Sequence, residues 1–284
     1  MKFKYTAFSL LLLLFIVACK NKSTNAIDTG NEMIEIQKRD VLNDRLEADE
    51  LIHEDDTEQW SYDGETGPSH WAEFLIDSDC GGMAQSPINI ISRDVKSDNT
   101  LSALQFQYSK KTKIRDITNN GRSIQFNFEL GNTVIYNGET YHLLKFYFHE
   151  ASEHTINGIR FPIETDFLHQ NDKGKILIIG VLSEEGKVNT PLKTLESHLP
   201  IEKNITIPLD IPFDVTSLLP DDRAYYSYKG SFTTPPCSEG VQWIVFKNQT
   251  AISNDQLNHL QSSMPLNNYR NVQPLNGRVA HTSH

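Results

Sequence analysis

The chain has 284 residues, 38% of them hydrophobic and 22% charged, an ordinary globular mix that excludes a collagenous, wholly disordered or multispanning polypeptide. Lysine and arginine number 26 against 37 aspartates and glutamates, a formal charge of −11. That balance excludes a general nucleic-acid binder, which needs a basic face to neutralise phosphates.

The N-terminus opens with Lys2 and Lys4, an apolar run from Phe8 to Val17, and Ala18-Cys19. This layout predicts a signal peptide over residues 1–18, because the apolar run is shorter than the about 20 residues that span a bilayer. Ile16-Val17-Ala18-Cys19 resembles a bacterial lipobox, which implies lipid on Cys19 and an exported lipoprotein anchored in the periplasm or at the cell surface. A plain secretory peptide with a chance cysteine is the other reading. An acidic chain gains no attraction from anionic lipid, so the lipid is the expected membrane contact. Of the three cysteines, assigning Cys19 to lipid leaves Cys80 and Cys237 as one candidate disulfide, with two buried thiols as the alternative.

Residues 19–58 are polar and strongly acidic and cannot bury a core of their own, so they read as a tether. Within them Ile34, Val41, Leu42, Leu46 and Leu51 fit one stripe of a loose amphipathic helix. From Trp60 onward the pattern becomes short β-type runs. Strands are predicted over Leu104–Tyr108, Ser123–Phe128, Thr133–Tyr136 and Tyr141–His149. Asn120-Gly121 and Asn137-Gly138 read as hairpin turns. Lys175–Leu182 is a continuous apolar run, as in a strand covered on both faces. Helical signals are limited to Thr190–His198 and Ser253–Ser263. A single β-dominated domain over residues 59–280 follows.

Several blocks of that domain resemble the α-class carbonic anhydrases: Trp60-Ser-Tyr62-Asp-Gly64, Gly67-Pro68-Ser-His-Trp71, Cys80-Gly-Gly, Gln85-Ser-Pro-Ile88, Phe146-Tyr-Phe-His149, Ser152-Glu-His-Thr-Ile-Asn-Gly158, Phe161-Pro-Ile-Glu164, Tyr228-Lys-Gly-Ser-Phe-Thr-Thr-Pro-Pro-Cys237, Val241-Gln-Trp243, Asn268-Tyr-Arg270 and Gly277-Arg278. The resemblance implies a mainly β, single-domain fold on a large, twisted, mostly antiparallel sheet with a central conical cavity. It also implies zinc, held in active members by three histidines that leave a fourth position for the water which attacks CO₂.

The ligand positions depart from that pattern. The first two fall on Tyr147 and His149 and the third on Asp166, so only His149 is retained. Strand alternation keeps Tyr147 and His149 on one face, but a phenol with an ordinary pKa near 10 must lose its proton to ligate well. Asp166 is shorter than histidine and anionic, and a Tyr-His-Asp set suits a harder ion than zinc. Zinc is therefore expected to be absent or weakly held. Lys145 stands where active members usually carry a glutamine. With Asp166 it suggests an internal ion pair in place of the metal, since an unpaired buried charge is costly. Arg122 takes the proton-shuttle position and cannot cycle protons near pH 7.

Other positions match. By the resemblance Thr233 and Glu153 are the hydroxide-orienting pair, Glu164 is the carboxylate supporting the third ligand position, and His154 is structural. Leu168, Ile178, Phe232, Val241 and Trp243 line the apolar side of the substrate pocket. Glu164 and Asp166 side by side should raise one pKa unless Lys145 or a proton separates them. His53, His259, His281 and His284 read as solvated, and His169 as turned to the opposite face from Asp166. Tyr225, Tyr226 and Tyr228 read as ordinary packing. Two main readings follow: a carbonic-anhydrase-related protein that binds or displays rather than catalyses, and an active carbonate dehydratase, with CO₂ and bicarbonate as its partners, using a non-standard metal site. A third is an anion or small-molecule binder with Lys145 and Arg122 as contacts.

Overall fold

The structure, a computed structural model, describes residues 60–199 and 201–282, so the predicted signal peptide, Cys19 and the acidic tether lie outside the described residues. The strands are β1 (Asn89–Ile90), β2 (Lys96–Ser97), β3 (Gln105–Gln107), β4 (Lys113–Asn119), β5 (Ile124–Phe128), β6 (Thr133–Tyr136), β7 (Glu139–His149) and β8 (Thr155–Ile156). They continue with β9 (Ile159–Arg160), β10 (Ile163–Gln170), β11 (Ile176–Glu185), β12 (Ile205–Pro212), β13 (Tyr225–Ser231), β14 (Glu239–Phe246), β15 (Thr250–Ile252) and β16 (His281–Thr282). Three short helices, α1 (Trp71–Phe74), α2 (Thr190–Glu196) and α3 (Asn254–Gln261), pack around them. Among the described residues no helix is long and apolar enough to cross a membrane.

One large sheet dominates, in the order β12-β4-β5-β7-β10-β11-β14-β13-β16-β2, with β6 and β15 added beside β7 and β11 and β3 beyond β6. Its pairs are antiparallel except β11 with β14 and β15, and β16 with β2. The predicted single-domain, mostly antiparallel fold is therefore observed. Local chemistry explains the elements. Asn137 and Gly138 both have positive φ and join β6 to β7 with Tyr136 opposite Glu139, the turn geometry that matches strand twist. Ser253 accepts from the Gln256 N–H while the Gln256 side chain returns to the Ser253 N–H, a capping box that starts α3.

The centre of the sheet is buried on both faces, which is why β11 is a continuous apolar run. Phe126, Phe146, Phe148, Phe167, Leu177, Ile179 and Ile244 pack into the larger core on one side. On the other, Leu144, Leu168, Ile178, Tyr228, Val241, Trp243 and Val245 form a second cluster, with Tyr147 and Phe232 against it. Alternation then places Lys145, Tyr147 and His149 of β7 on this second face, where Tyr147 lies opposite Asp166 of β10. The two ends of the domain are tied by the Cys80–Cys237 disulfide and by Arg270, whose guanidinium donates to the Gln85 side chain and to the carbonyls of Ser86 and Cys80.

The cavity and the substituted ligand site

A cavity of about 430 Å³ opens on the second face, lined among others by Trp60, Tyr62, Arg115, Arg122, Lys145, Tyr147, His149, Leu168, Phe232 and Thr233. Among the described residues its wall carries Arg115, Arg122 and Lys145 and no carboxylate. Arg122 lies with its guanidinium carbon 3.8 Å from the centre of the Trp60 ring and donates to the Trp60 carbonyl at 3.2 Å. Arg115 is paired with Asp116 at 2.6 Å. Leu168 and Phe232 line the cavity as expected, whereas Ile178, Val241 and Trp243 are fully buried in the layer behind it.

Beneath the cavity floor the chemistry is anionic. His149 is fixed by its Nδ1, which donates to the Asn268 carbonyl at 2.6 Å. Its Nε2 lies 3.4 Å from Glu153 Oε2 and 3.7 Å from Asp166 Oδ2. Glu153 and Asp166 are wholly buried. Glu153 Oε1 accepts the Arg270 backbone N–H at 2.8 Å. Burial pushes the Glu153 carboxyl up, against the pull of His149, the Arg270 N–H and the Thr233 hydroxyl. Asp166 is raised well above the ordinary carboxyl range, first by burial and then by its neighbours Glu164 and Glu153. The Tyr147 phenol is pushed well above 10, first by burial and then by Asp166 and Glu153.

Two expectations need correction. Lys145 does not pair with Asp166: its Nζ donates to Gln125 Oε1 at 3.0 Å, while neither Asp166 oxygen has a hydrogen-bond partner. Lys145 sits opposite Leu168, two pairs along from Asp166. The Gln125 amide on β5 therefore holds its ammonium at the wet wall, where it keeps its hydration, instead of in the dry floor. Glu164 raises its neighbour Asp166, but its firmest partners lie elsewhere. Its Oε1 takes the His154 ring at 2.6 Å and its Oε2 takes the N–H groups of Glu153 and His154, both at 2.8 Å. Burial alone would raise Glu164, but the His154 ring and those backbone donors outweigh it and hold the carboxyl below its ordinary value. Glu164 thus braces the Glu153–His154 turn. His154 also contacts the Tyr228 hydroxyl at 2.6 Å, which agrees with a structural role. The expected split between the two adjacent carboxyls is present, with Asp166 raised and Glu164 lowered.

His169 faces the opposite layer, with Nδ1 bonded to the Phe167 carbonyl at 2.8 Å and Nε2 to the Tyr108 hydroxyl at 2.5 Å. Sequence reasoning missed Arg115 and Tyr62 in the cavity wall. Tyr62 belongs to the quoted Trp60-Ser-Tyr62 block, and that block was its only available signal. Arg115 sits at a register shift of β4 between Ile114 and Asp116, which simple alternation does not locate.

A profile described as eukaryotic-type carbonic anhydrase matches residues 66–284. The chain belongs to the α-carbonic anhydrase family. Similar relatives include a carbonic anhydrase of Pectobacterium atrosepticum, 36% identical over 226 residues that cover 79% of this chain and 91% of that one. A carbonic anhydrase of Neisseria gonorrhoeae is 39% identical, covering 78% and 86% respectively. Among solved structures, the α-carbonic anhydrase of Thermovibrio ammonificans in complex with sulfanilamide has a TM-score of 0.74 at 38% identity, covering 78% of this chain and 98% of that one. Dioscorin complexed with ascorbate has a TM-score of 0.73 at 31% identity, covering 78% and 97%.

The family is zinc-dependent, and this donor set does not meet the family's arrangement. A phenol held protonated by burial and by two carboxyls stands at the first ligand position and a raised carboxyl at the third. His149 Nε2 alone presents the expected imidazole donor. The atoms that converge below it belong instead to Glu153 and Asp166.

Proposed function

We propose that this α-carbonic-anhydrase-family chain is a non-catalytic, carbonic-anhydrase-related binding protein, carried outside the cytoplasm as a lipoprotein on its acidic tether. The observation that carries this reading is Tyr147: a half-buried phenol at the cavity floor, its pKa raised, directly opposite Asp166 at the place where two metal-binding imidazoles are required. The cavity survives and its wall is cationic and aromatic. That chemistry suits a small anion, organic or inorganic, whose charge is met by Lys145 and Arg122 and whose plane is met by Trp60. The structural relative dioscorin was solved with ascorbate, an anion of this kind.

The test is CO₂ hydration by the chain in stopped flow, with and without added Zn²⁺, beside titration of ascorbate and bicarbonate followed by tryptophan fluorescence. A rate equal to that of buffer, with anion binding weakened at least about tenfold by Arg122→Glu, is expected. Enzyme-level hydration would overturn the proposal. It would favour the second reading, an active carbonate dehydratase at a non-standard site, for which Thr233 beside Glu153 and the Leu168–Phe232 wall speak.

A further inference from the structure

Four atoms below the cavity floor are buried without a hydrogen-bond partner: His149 Nε2, Glu153 Oε2 and both carboxyl oxygens of Asp166. The orientation of His149 gives this cluster its meaning. Because Nδ1 donates to the Asn268 carbonyl, Nε2 is the ring nitrogen turned toward the two carboxyl groups. Polar atoms buried without a partner are costly; the Thr233 hydroxyl acts on Glu153, but these four atoms remain unpartnered. Lys145 is engaged by Gln125. The Arg270 guanidinium is directed at Gln85, Ser86 and Cys80.

A positive charge at the centre satisfies every member at once. Donors about 2.0–2.1 Å from a tetrahedral metal stand about 3.3–3.4 Å apart, close to the 3.4 Å and 3.7 Å that separate His149 Nε2 from Glu153 and Asp166. All three donor atoms lie within 4.8 Å of one another. Two carboxylates and one imidazole neutralise a dication. A mixed oxygen and nitrogen set matches a first-row ion of Mn²⁺ character.

We propose that His149, Glu153 and Asp166 form a buried site for one divalent first-row cation, displaced below the family's zinc position by the exchange of residue 147 for Glu153. Tyr147 lies on the cavity side of this site and is not one of its ligands. Glu153 and Asp166 lie behind the cavity wall and His149 at it, so the cation ties β7, β10 and the Glu153 turn together and stabilises the fold, its remaining coordination left to water.

The test uses the full mature chain, stripped with chelator, then incubated with Mn²⁺ and desalted. Expected results are one Mn²⁺ per chain by elemental analysis and a rise in melting temperature on the order of 5 °C. Tyr147→Phe should retain the metal and Glu153→Gln should lose it. Pulsed EPR of the loaded parent should show coupling to one imidazole nitrogen, a readout that does not depend on a variant folding. No retained Mn²⁺, equal retention by Glu153→Gln, loss in Tyr147→Phe, or a loaded parent without nitrogen coupling would each overturn the site. Loading that brings CO₂ hydration with it would overturn the proposed function and leave the site standing.

Discussion

Tyr147 of β7 and Asp166 of β10 are direct partners across an antiparallel pair. The two departures from the family's ligand set therefore meet at a single point of the sheet, on the face that also carries His149. A bulky phenol and a short carboxyl occupy the space between them together, and the carboxyl raises the proton affinity of the phenol.

Because the backbone of this pair is regular, restoring both side chains should restore the family's chemistry. Tyr147→His with Asp166→His is expected to hold near-stoichiometric zinc after dialysis and to raise CO₂ hydration at least about tenfold over the parent. Each single substitution should fall well short. Elemental analysis and stopped flow check this, and a double variant without zinc would show that Lys145 and the altered floor also block the metal.

His169 should make the fold acid-sensitive. Burial lowers its pKa to about 3, below the unfolded value near 6.5, so its contribution is present in full above about pH 6.5 and is lost as pH falls toward 3. The slope is about 1.4 kcal/mol per pH unit in that window. Urea midpoints between pH 7 and 4 should fall less steeply in His169→Gln than in the parent. Parallel slopes would remove His169 as the cause.

The Cys80–Cys237 bridge spans a sequence separation of 157 residues, a long loop whose closure restricts the unfolded chain. Replacing both cysteines with serine is expected to cost about 4–5 kcal/mol in the chain-entropy account. Denaturant titration of the oxidised parent and the double variant measures it. A difference under about 1 kcal/mol would mean that the reduced chain is already held in place by the surrounding tryptophans.

Gly180, mid-way along β11, has no room for a side chain. An added Cβ would stand 2.7 Å from Glu164 Oε1 and 3.3 Å from Asp166 Oδ1. Gly180→Ala should therefore cost about 1–3 kcal/mol by overpacking and push the two carboxyls aside. Thermal unfolding tests the cost. An unchanged melting temperature would indicate that the carboxyl pair shifts freely.

Period and turn chemistry made much of the fold legible. Thr133–Tyr136 is a strand with the predicted bounds, and Ser253 and Gln256 mark the start of α3 as the capping residues of a helix expected over Ser253–Ser263. The run ending at Leu182 is covered on both faces because Leu177, Ile179 and Val181 enter the larger core while Ile178 and Leu182 enter the second cluster. Alternation also placed Tyr147 with His149 and turned His169 away from Asp166. What stayed hidden depends on neighbours far apart in sequence. Lys145 meets Gln125 because β5 happens to lie beside β7. Glu153 meets Asp166 because the turn before β8 is folded back by Glu164. No local pattern encodes which acceptor a lysine finds two strands away, or that three acceptors converge under one histidine.

Arg270 and β16 bear on the order of assembly. The guanidinium of Arg270 joins residues 80–86 to a segment near the C-terminus, and β16 supplies the neighbour on which β2 pairs. The first and last parts of the domain are thus each other's scaffolding, a topology of high contact order in which closing the chain ends is slow. A nascent chain lacking its last fifteen residues has no β16 and cannot complete the sheet edge. The sheet therefore gains its β2 edge only once residues 281–282 have joined β13, so folding of this edge waits for the last segment of the domain.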